Sequence, residues 1–250
     1  MKVISFLEAD SLKTFFKKFN KVIVALSGGA DSAAVLQLSS QFITPENILA
    51  VTCVNPHVFG YEIENARKIA DSLSINWKPF TVQYSADFLK NDDLRCYYCK
   101  HEILKSIENI RKTEGFDAIF DGTNIDDLND YRPGMKAIKE FNVISPLKEL
   151  GISKKDSLHI AKSSFKTIYF NVESCAATRI VNKMITFEDM LKVEKIEDIL
   201  RYRYPGIRVR VSENISVEFK NKVSLKKSDL EFLSKIIKLH YADKQIKINY

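Results

Sequence analysis

Along the chain, short unbroken runs of apolar residues, rich in Val and Ile, alternate with longer stretches in which apolar residues return every three or four positions. The first pattern marks strands buried on both faces, and the second marks one face of a helix. The run 21–26 is of the first kind. The series Ile63, Ala66, Ile69, Ala70 and Leu73 is of the second. Read this way, the sequence predicts strands at 21–26, 48–54, 77–84, 118–121 and 143–145. It predicts helices at 32–42, 61–74, 100–112, 131–141 and 154–164, and an amphipathic helix within 1–20. Strands that alternate with helices imply a parallel sheet covered on both faces. Right-handed crossovers make it an α/β, doubly wound layer. After about residue 180 the pattern changes. Thr186 is placed to cap a helix, with Asp189 in its first turn, running to about 202. Pro205-Gly206 breaks that helix, strands follow at 207–211 and 215–219, and a last helix covers 227–240. The expectation is a doubly wound domain over 1–180 and a smaller α+β domain over 181–250.

Composition narrows the class. The 250 residues are 45% hydrophobic and 28% charged, which excludes disordered, collagenous and coiled-coil chains. No apolar run approaches the roughly 18 to 20 residues of a membrane span. The N-terminal segment has neither the apolar core nor the small-residue cleavage site of a secretory signal, so a cytoplasmic location is expected. The net charge of +6 is uneven: residues 181–250 hold 15 basic and 10 acidic side chains, against 23 and 22 in the rest. A basic C-terminal segment points to an anionic ligand, a phosphate or RNA. It fits a solvated lysine face equally well.

The sharpest signal is Ser27-Gly28-Gly29-Ala30-Asp31-Ser32, set between a predicted strand and a predicted helix. Glycines allow a tight turn and a close approach to an anion. Helix-start amides then face the ligand, where the helix dipole favours negative charge. Ser27 and Ser32 add hydroxyls. Asp31 makes sense as a magnesium ligand. No Gly-Lys-Ser/Thr follows, so this is not the Walker loop. The loop resembles the PP-loop of ATP pyrophosphatases. That likeness implies ATP binding and transfer of AMP to an oxygen of the substrate, with pyrophosphate held by the loop.

Four cysteines in a chain of this kind read as metal ligands or reactive thiols rather than disulfides. Cys96 and Cys99 form a CxxC at a helix start, beside Arg95 and Lys100, which favour thiolates. No second CxxC or histidine pair completes a zinc site. With the distant Cys175, three thiols fit a [4Fe–4S] cluster that leaves one iron open to a ligand; a structural CxxC with an incidental Cys175 is the plainer alternative. Cys53, within a Val/Ile strand, reads as a small buried hydrophobe. His57, His101, His159 and His240 show no ligand spacing and read as structural. Asp126, Asp127 and Asp130 form an acidic patch after a strand end, as metal ligands or as a solvated turn. Gly122 and Thr123 are candidates to approach the adenylate. Arg179, Arg208 and Arg210 are candidates for a mononucleotide phosphate, which a guanidinium grips as a fork.

Together these motifs resemble one family, the LarE-type sulfur transferases, across roughly residues 20–212. The likeness is carried by SGGADS (27–32), RCYYCK (95–100), DGTNIDDLNDYRPGMKAIKE (121–140), SPL (145–147), SCAATRI (174–180) and IRVRV (207–211). It implies an adenine nucleotide alpha hydrolase-like fold and an enzyme that uses ATP and Mg2+. Such an enzyme adenylates a carboxylate of pyridinium-3,5-biscarboxylic acid mononucleotide, for nickel-pincer cofactor biosynthesis, and replaces AMP with sulfur. It implies substrate contacts at Asp127, Arg132, Arg179, Arg208 and Arg210. It also implies either sulfur given up by Cys175 itself or, in a three-cysteine subgroup, a [4Fe–4S] cluster on Cys96, Cys99 and Cys175 that carries sulfide. This sequence has all three cysteines, which favours the cluster, with sulfide as sulfur donor. A homo-oligomer, typically a hexamer, is further implied. A tRNA thiolase is the alternative, since it shares loop and cluster. The Lys-Pro ahead of the cysteine is replaced here by Asn171-Val172-Glu173. Thr178-Arg179-Ile180-Val181-Asn182-Lys183 replaces the usual Ser-Arg and Pro-Tyr-Gly turn, so the loop that meets the acceptor is altered.

Overall fold

The computed structural model describes residues 9–129, 132–170 and 174–249. Expectations placed on 1–8, on Asp130 and Tyr131, and on 171–173 lie outside them. The described residues form two compact units. One comprises residues 9–55, 60–85, 96–129 and 132–170, and the other 56–59, 86–95 and 174–249.

In chain order the elements are α1 (Ala9–Phe16), β1 (Val22–Ala25), α2 (Ala30–Ser39), β2 (Ile48–Cys53), α3 (Gly60–Ser72) and β3 (Asn76–Phe80). Then come α4 (Ala86–Leu89), α5 (Arg95–Glu114), β4 (Ala118–Phe120), α6 (Gly134–Glu140), α7 (Pro146–Glu149) and α8 (Lys154–Ser164). The chain ends with α9 (Phe187–Arg201), β5 (Ile207–Val211), β6 (Ile215–Phe219), α10 (Lys227–Lys238) and β7 (Ile246–Asn249).

The first unit is built on a parallel sheet in the order β3-β2-β1-β4. Successive strand residues point to opposite faces, and the core divides accordingly. Val22 and Val24 of β1, Ala50 of β2 and Phe120 of β4 pack with Phe16, Leu36 and Ile160 on one face. Ile23, Val51 and Ile119 pack with Leu104 and Ile107 of α5 and Ile138 of α6 on the other. Both faces are apolar, which is why these strands read as unbroken runs rather than alternating ones. Pro79 is tolerated because β3 is the edge strand.

Two expected strands are cut back most. β3 ends at Phe80 because the Asn55 side chain takes over from a neighbouring strand, donating to the Val82 carbonyl and accepting from its amide at 2.8 Å each. The run 143–145 contributes one parallel bridge, Phe120 to Ile144, before Pro146 begins α7.

β1, β2 and β3 step one way across the sheet, and β4 then pairs on the far side of β1. That reversal opens a crevice at the carboxyl ends of β1 and β4, where ligands bind in open α/β sheets.

In the second unit β5 and β6 form an antiparallel hairpin, and β7 joins β6 in parallel. Thr186 caps α9 as expected, its hydroxyl accepting from the Asp189 amide at 3.1 Å. Met190, Val193, Ile196 and Leu200 form its buried stripe. On β5, Ile207, Val209 and Val211 are buried while Arg208 and Arg210 lie on the other face, half-buried. β7, with only four residues, was not among the expected strands; pairing with β6 defines it.

Candidate active site

The loop between β1 and α2 is shaped by two glycines. Gly28 has φ +81°, and a Cβ there would stand 2.0 Å from the Glu62 carbonyl oxygen. Gly29 is the N-cap of α2. The hydroxyls knit the turn together. Ser27 and Ser32 share a hydrogen bond at 3.0 Å, the Ser27 amide donates to Ser32 Oγ at 3.1 Å, and Ser32 Oγ donates to the Gly29 carbonyl at 3.1 Å. The first amides of any α-helix lack intrahelical acceptors, so the start of α2 offers donors to an anion above β1.

The loop after β4 closes the opposite side. Gly122 is pressed against α2 so tightly that a Cβ would lie 2.8 Å from the Ser32 amide nitrogen. Asp121 is buried and fixes this loop, accepting from the Thr123 hydroxyl and the Ser145 hydroxyl at 2.8 Å each. Its Oδ2 lies 3.5 Å from Lys100 Nζ. Asn124 is fully buried, and its Oδ1 accepts from the amides of Asp126 and Asp127 at 3.0 and 3.3 Å. Asp127 Oδ2 in turn accepts from the Asn124 amide at 3.2 Å, and its Oδ1 pairs with Arg132 at 2.8 Å.

These two loops line a cavity of about 220 Å³. It brings together Ser27, Asp31, Ser32, Gly122, Thr123, Asp127 and Arg132, all of which the sequence had singled out. Lys100 and Asp121 join them. The sequence pointed to Lys100 only as a neighbour of the CxxC; it follows Cys99 directly on α5 and lines the cavity. Burial pushes the Asp31 carboxyl above its ordinary value; the Ser157 hydroxyl opposes that shift and the Asp127 charge adds to it. The cavity therefore holds three carboxylates, Asp31, Asp121 and Asp127, and two cations, Lys100 and Arg132. Hard oxygen donors of this kind suit magnesium, and the cations suit phosphate.

The cysteines fall in different places. Cys96 is exposed and Cys99 half-buried, one turn apart at the start of α5 in the first unit. Cys175 is half-buried and belongs to the second unit. Among the described residues no three His, Cys, Asp or Glu side chains form a ready metal-holding group. Cys53 is half-buried, and burial pushes its thiol up to about 11.

Cys175 is the N-cap of a short 3-10 turn, Ala176–Arg179, and its loop is caged. The Cys175 carbonyl accepts from the Thr178 hydroxyl at 2.7 Å, and the Ala176 amide donates to the His57 carbonyl at 2.8 Å. Arg179 is fully buried and spans this loop, donating to Ser174 Oγ at 2.7 Å and the Ser174 carbonyl at 3.0 Å. Its other face is taken by Glu197, with Nε at 2.8 Å and Nη2 at 3.1 Å. Arg210 pairs with Glu218 at 2.9 Å and donates to the Thr178 carbonyl at 2.8 Å. In this structure Arg179 and Arg210 thus brace the Cys175 loop. Arg208 is half-buried on the same face of β5 as Arg210.

Comparison with known proteins places this geometry. Residues 4–111 match the NAD synthase family. The chain is 34% identical over 246 residues to an uncharacterized protein of Methanocaldococcus jannaschii, covering 96% of this chain and 93% of that one. It is 30% identical over 211 residues to pyridinium-3,5-bisthiocarboxylic acid mononucleotide synthase of Lactiplantibacillus plantarum, covering 82% of this chain and 76% of that enzyme. The chain belongs to the LarE-type family of PP-loop proteins. Likeness to the NH(3)-dependent NAD(+) synthetase of Pyrococcus horikoshii is confined to 76 residues, at 30% identity. A LarE-type chain is an ATP-using enzyme, and the four-stranded parallel sheet with its glycine loop is the PP-loop α/β fold. Among the described residues no helix is long and apolar enough to cross a membrane.

Proposed function

We propose that the chain is an ATP-dependent sulfur transferase that acts on a carboxylate of a small pyridinium mononucleotide. The observation that carries this reading is the convergence of the 27–32 and 121–127 loops on one cavity at the switch point of the sheet, with Lys100 and Arg132 beside them. The likeness to the synthase of Lactiplantibacillus plantarum supplies the acceptor class.

In the proposed reaction a carboxylate oxygen of the acceptor attacks the α-phosphorus of ATP, and pyrophosphate leaves. The α2 amides and the loop hydroxyls hold the phosphates, and Lys100 and Arg132 neutralise the charge that grows on the departing pyrophosphate. Asp31 and Asp127 are the residues that would hold magnesium, which neutralises phosphate charge when bound. Sulfide sulfur then adds to the acyl carbon, AMP leaves, and a thiocarboxylate remains. Arg208 is assigned to the acceptor phosphate, and Arg179 and Arg210, which the structure commits to the loop instead, to holding the Cys175 loop in shape.

Cys96, Cys99 and Cys175 are proposed as the ligands of a [4Fe–4S] cluster, which would supply sulfide. What supports this is the donor set: three thiols outside disulfides, two of them one turn apart at a helix start. Sulfur taken from Cys175 itself is the second reading, favoured by the cage that presents this one side chain from a fixed loop. A cytoplasmic homo-oligomer with ATP chemistry in 1–180 and acceptor recognition in 181–250 completes the proposal.

The experiment is anaerobic purification of wild type and of Cys96→Ala, Cys99→Ala and Cys175→Ala, followed by turnover with ATP and the biscarboxylic mononucleotide. Brown colour lost in all three variants, with unchanged protein mass after turnover, is the expected result. Loss of one hydrogen sulfide from Cys175 would establish the second reading. Acceptor-independent ATP–pyrophosphate exchange, with no thiocarboxylate formed, would refute both.

A further inference from the structure

Asp31 is held from a distant part of the chain. The Ser157 hydroxyl, 126 residues away on α8, donates to Asp31 Oδ1. Ser157 is fully buried and does not line the cavity, whereas Asp31 does. Its position is fixed from two sides. α8 begins with a capping box in which the Asp156 amide donates to Ser153 Oγ and the Ser153 amide to Asp156 Oδ2, each at 3.2 Å. The Lys154 amide then donates to Asp126 Oδ2 at 2.7 Å, which ties the helix start to the loop after β4. One turn into a helix so anchored, Ser157 meets the first turn of α2.

Around this contact α2 and α8 pack through apolar side chains, including Leu36, Ile160 and Ala161. Packing alone would be served by alanine. A buried hydroxyl needs an acceptor, and Ser157 has two in reach, the Asp31 carboxylate and the Lys154 carbonyl at 3.0 Å. It has one proton to give. A charged acceptor takes the stronger hydrogen bond, so the proton goes to Asp31. One carboxylate oxygen is thus tethered while the residue faces the cavity, which removes rotamer freedom that binding would otherwise have to remove.

We propose that Ser157 is the positioning residue of the nucleotide site, holding Asp31 in the orientation in which it receives the magnesium of a magnesium–ATP complex. This inference rests on the ATP reading above. The test is calorimetric titration of ATP into the full chain, with excess Mg2+ and with EDTA, for wild type, Ser157→Ala, Ser157→Thr and Asp31→Ala. Wild type is expected to bind ATP more tightly with Mg2+. Ser157→Ala is expected to lose about tenfold of that gain while its affinity in EDTA stays within about twofold of wild type, which also shows that the site is folded. Asp31→Ala loses the gain entirely, and Ser157→Thr, which keeps the hydroxyl, retains it. Equal weakening of Ser157→Ala with and without Mg2+ would mean a packing role only and would overturn the proposal. So would a wild-type gain in Ser157→Ala that Asp31→Ala abolishes, although that result leaves the ATP reading standing. No ATP binding by wild type would overturn both.

Discussion

The buried pair of Arg179 and Glu197 offers the most direct test of the physical reading. Both side chains are essentially without solvent exposure, and they meet through two hydrogen bonds, at 2.8 and 3.1 Å. Glu197 Oε1 also accepts from the Val209 amide at 2.8 Å, which links α9 to β5. Breaking a buried pair by removing one partner costs about 3–5 kcal/mol, because the other charge is left uncompensated. The two single variants differ. Glu197→Leu strands a buried guanidinium and removes the acceptor of the Val209 amide, so it belongs at the top of that range. Arg179→Met leaves Glu197 with the Val209 amide and with Arg201, whose Nη2 is 3.7 Å from Oε2, so it belongs near the bottom. The double variant Arg179→Met/Glu197→Leu buries no unpaired charge. It leaves chiefly the Val209 amide without its acceptor, at about 1–3 kcal/mol, and costs less than either single variant or close to the milder one. For a unit of roughly 60 to 100 residues each kcal/mol shifts the midpoint by about 4–8 °C, so Glu197→Leu, at about 5 kcal/mol, lowers it by about 20 °C or more. Circular dichroism and calorimetric melts of the four proteins read this directly. An Arg179→Met variant within about 0.5 kcal/mol of wild type, with additive effects in the double, would refute the pairing and return Arg179 to the role of a ligand-binding side chain.

Gly28→Ala is expected to cost about 1–3 kcal/mol for its left-handed backbone and about 1–3 more because its Cβ meets the Glu62 carbonyl at 2.0 Å; ATP binding by the variant should be lost before its fold is, and wild-type affinity would show that the loop geometry is wrong. His57 carries a pH dependence of known sign: burial lowers its pKa from 6.5 to about 4, so the folded unit holds it neutral while the unfolded chain takes up a proton. Stability from this residue is fully present above about pH 6.5 and falls as the pH drops toward 4, by up to about 1.4 kcal/mol per pH unit. Thermal midpoints at pH 7 and pH 5 should therefore converge in His57→Gln, and an undiminished difference in that variant would contradict the assignment. The Asp229 carboxyl, held below 3.8 chiefly by the Tyr204 hydroxyl, loses its contribution only at more acid pH, so the two windows separate.

What the amino-acid order determined by itself is local and periodic. Strands buried on both faces announce themselves as apolar runs, helices as three-to-four repeats, and the glycine loop as a turn between them. The sequence therefore carried the α/β class, the hairpin of the second unit, the Thr186 cap and the phosphate loop. It pointed to Asp31, Gly122 and Thr123 as well, because these closely follow strand ends, and the resemblance of the 121–140 block pointed to Asp127 and Arg132; all five line the cavity. Tertiary structure decided everything that depends on distance along the chain. The strand order puts the loop after β4 beside the loop after β1, although some 90 residues separate them. Nothing in the local pattern around Ser157 distinguishes it from a serine on any helix; only the packing of α8 on α2 delivers its hydroxyl to Asp31. Arg179, in a loop of polar and small residues, has the composition of an anion-binding side chain, and the fold commits it instead to Glu197 and Ser174. A buried charge demands a partner from wherever the chain brings one, and no spacing rule in one dimension names that partner.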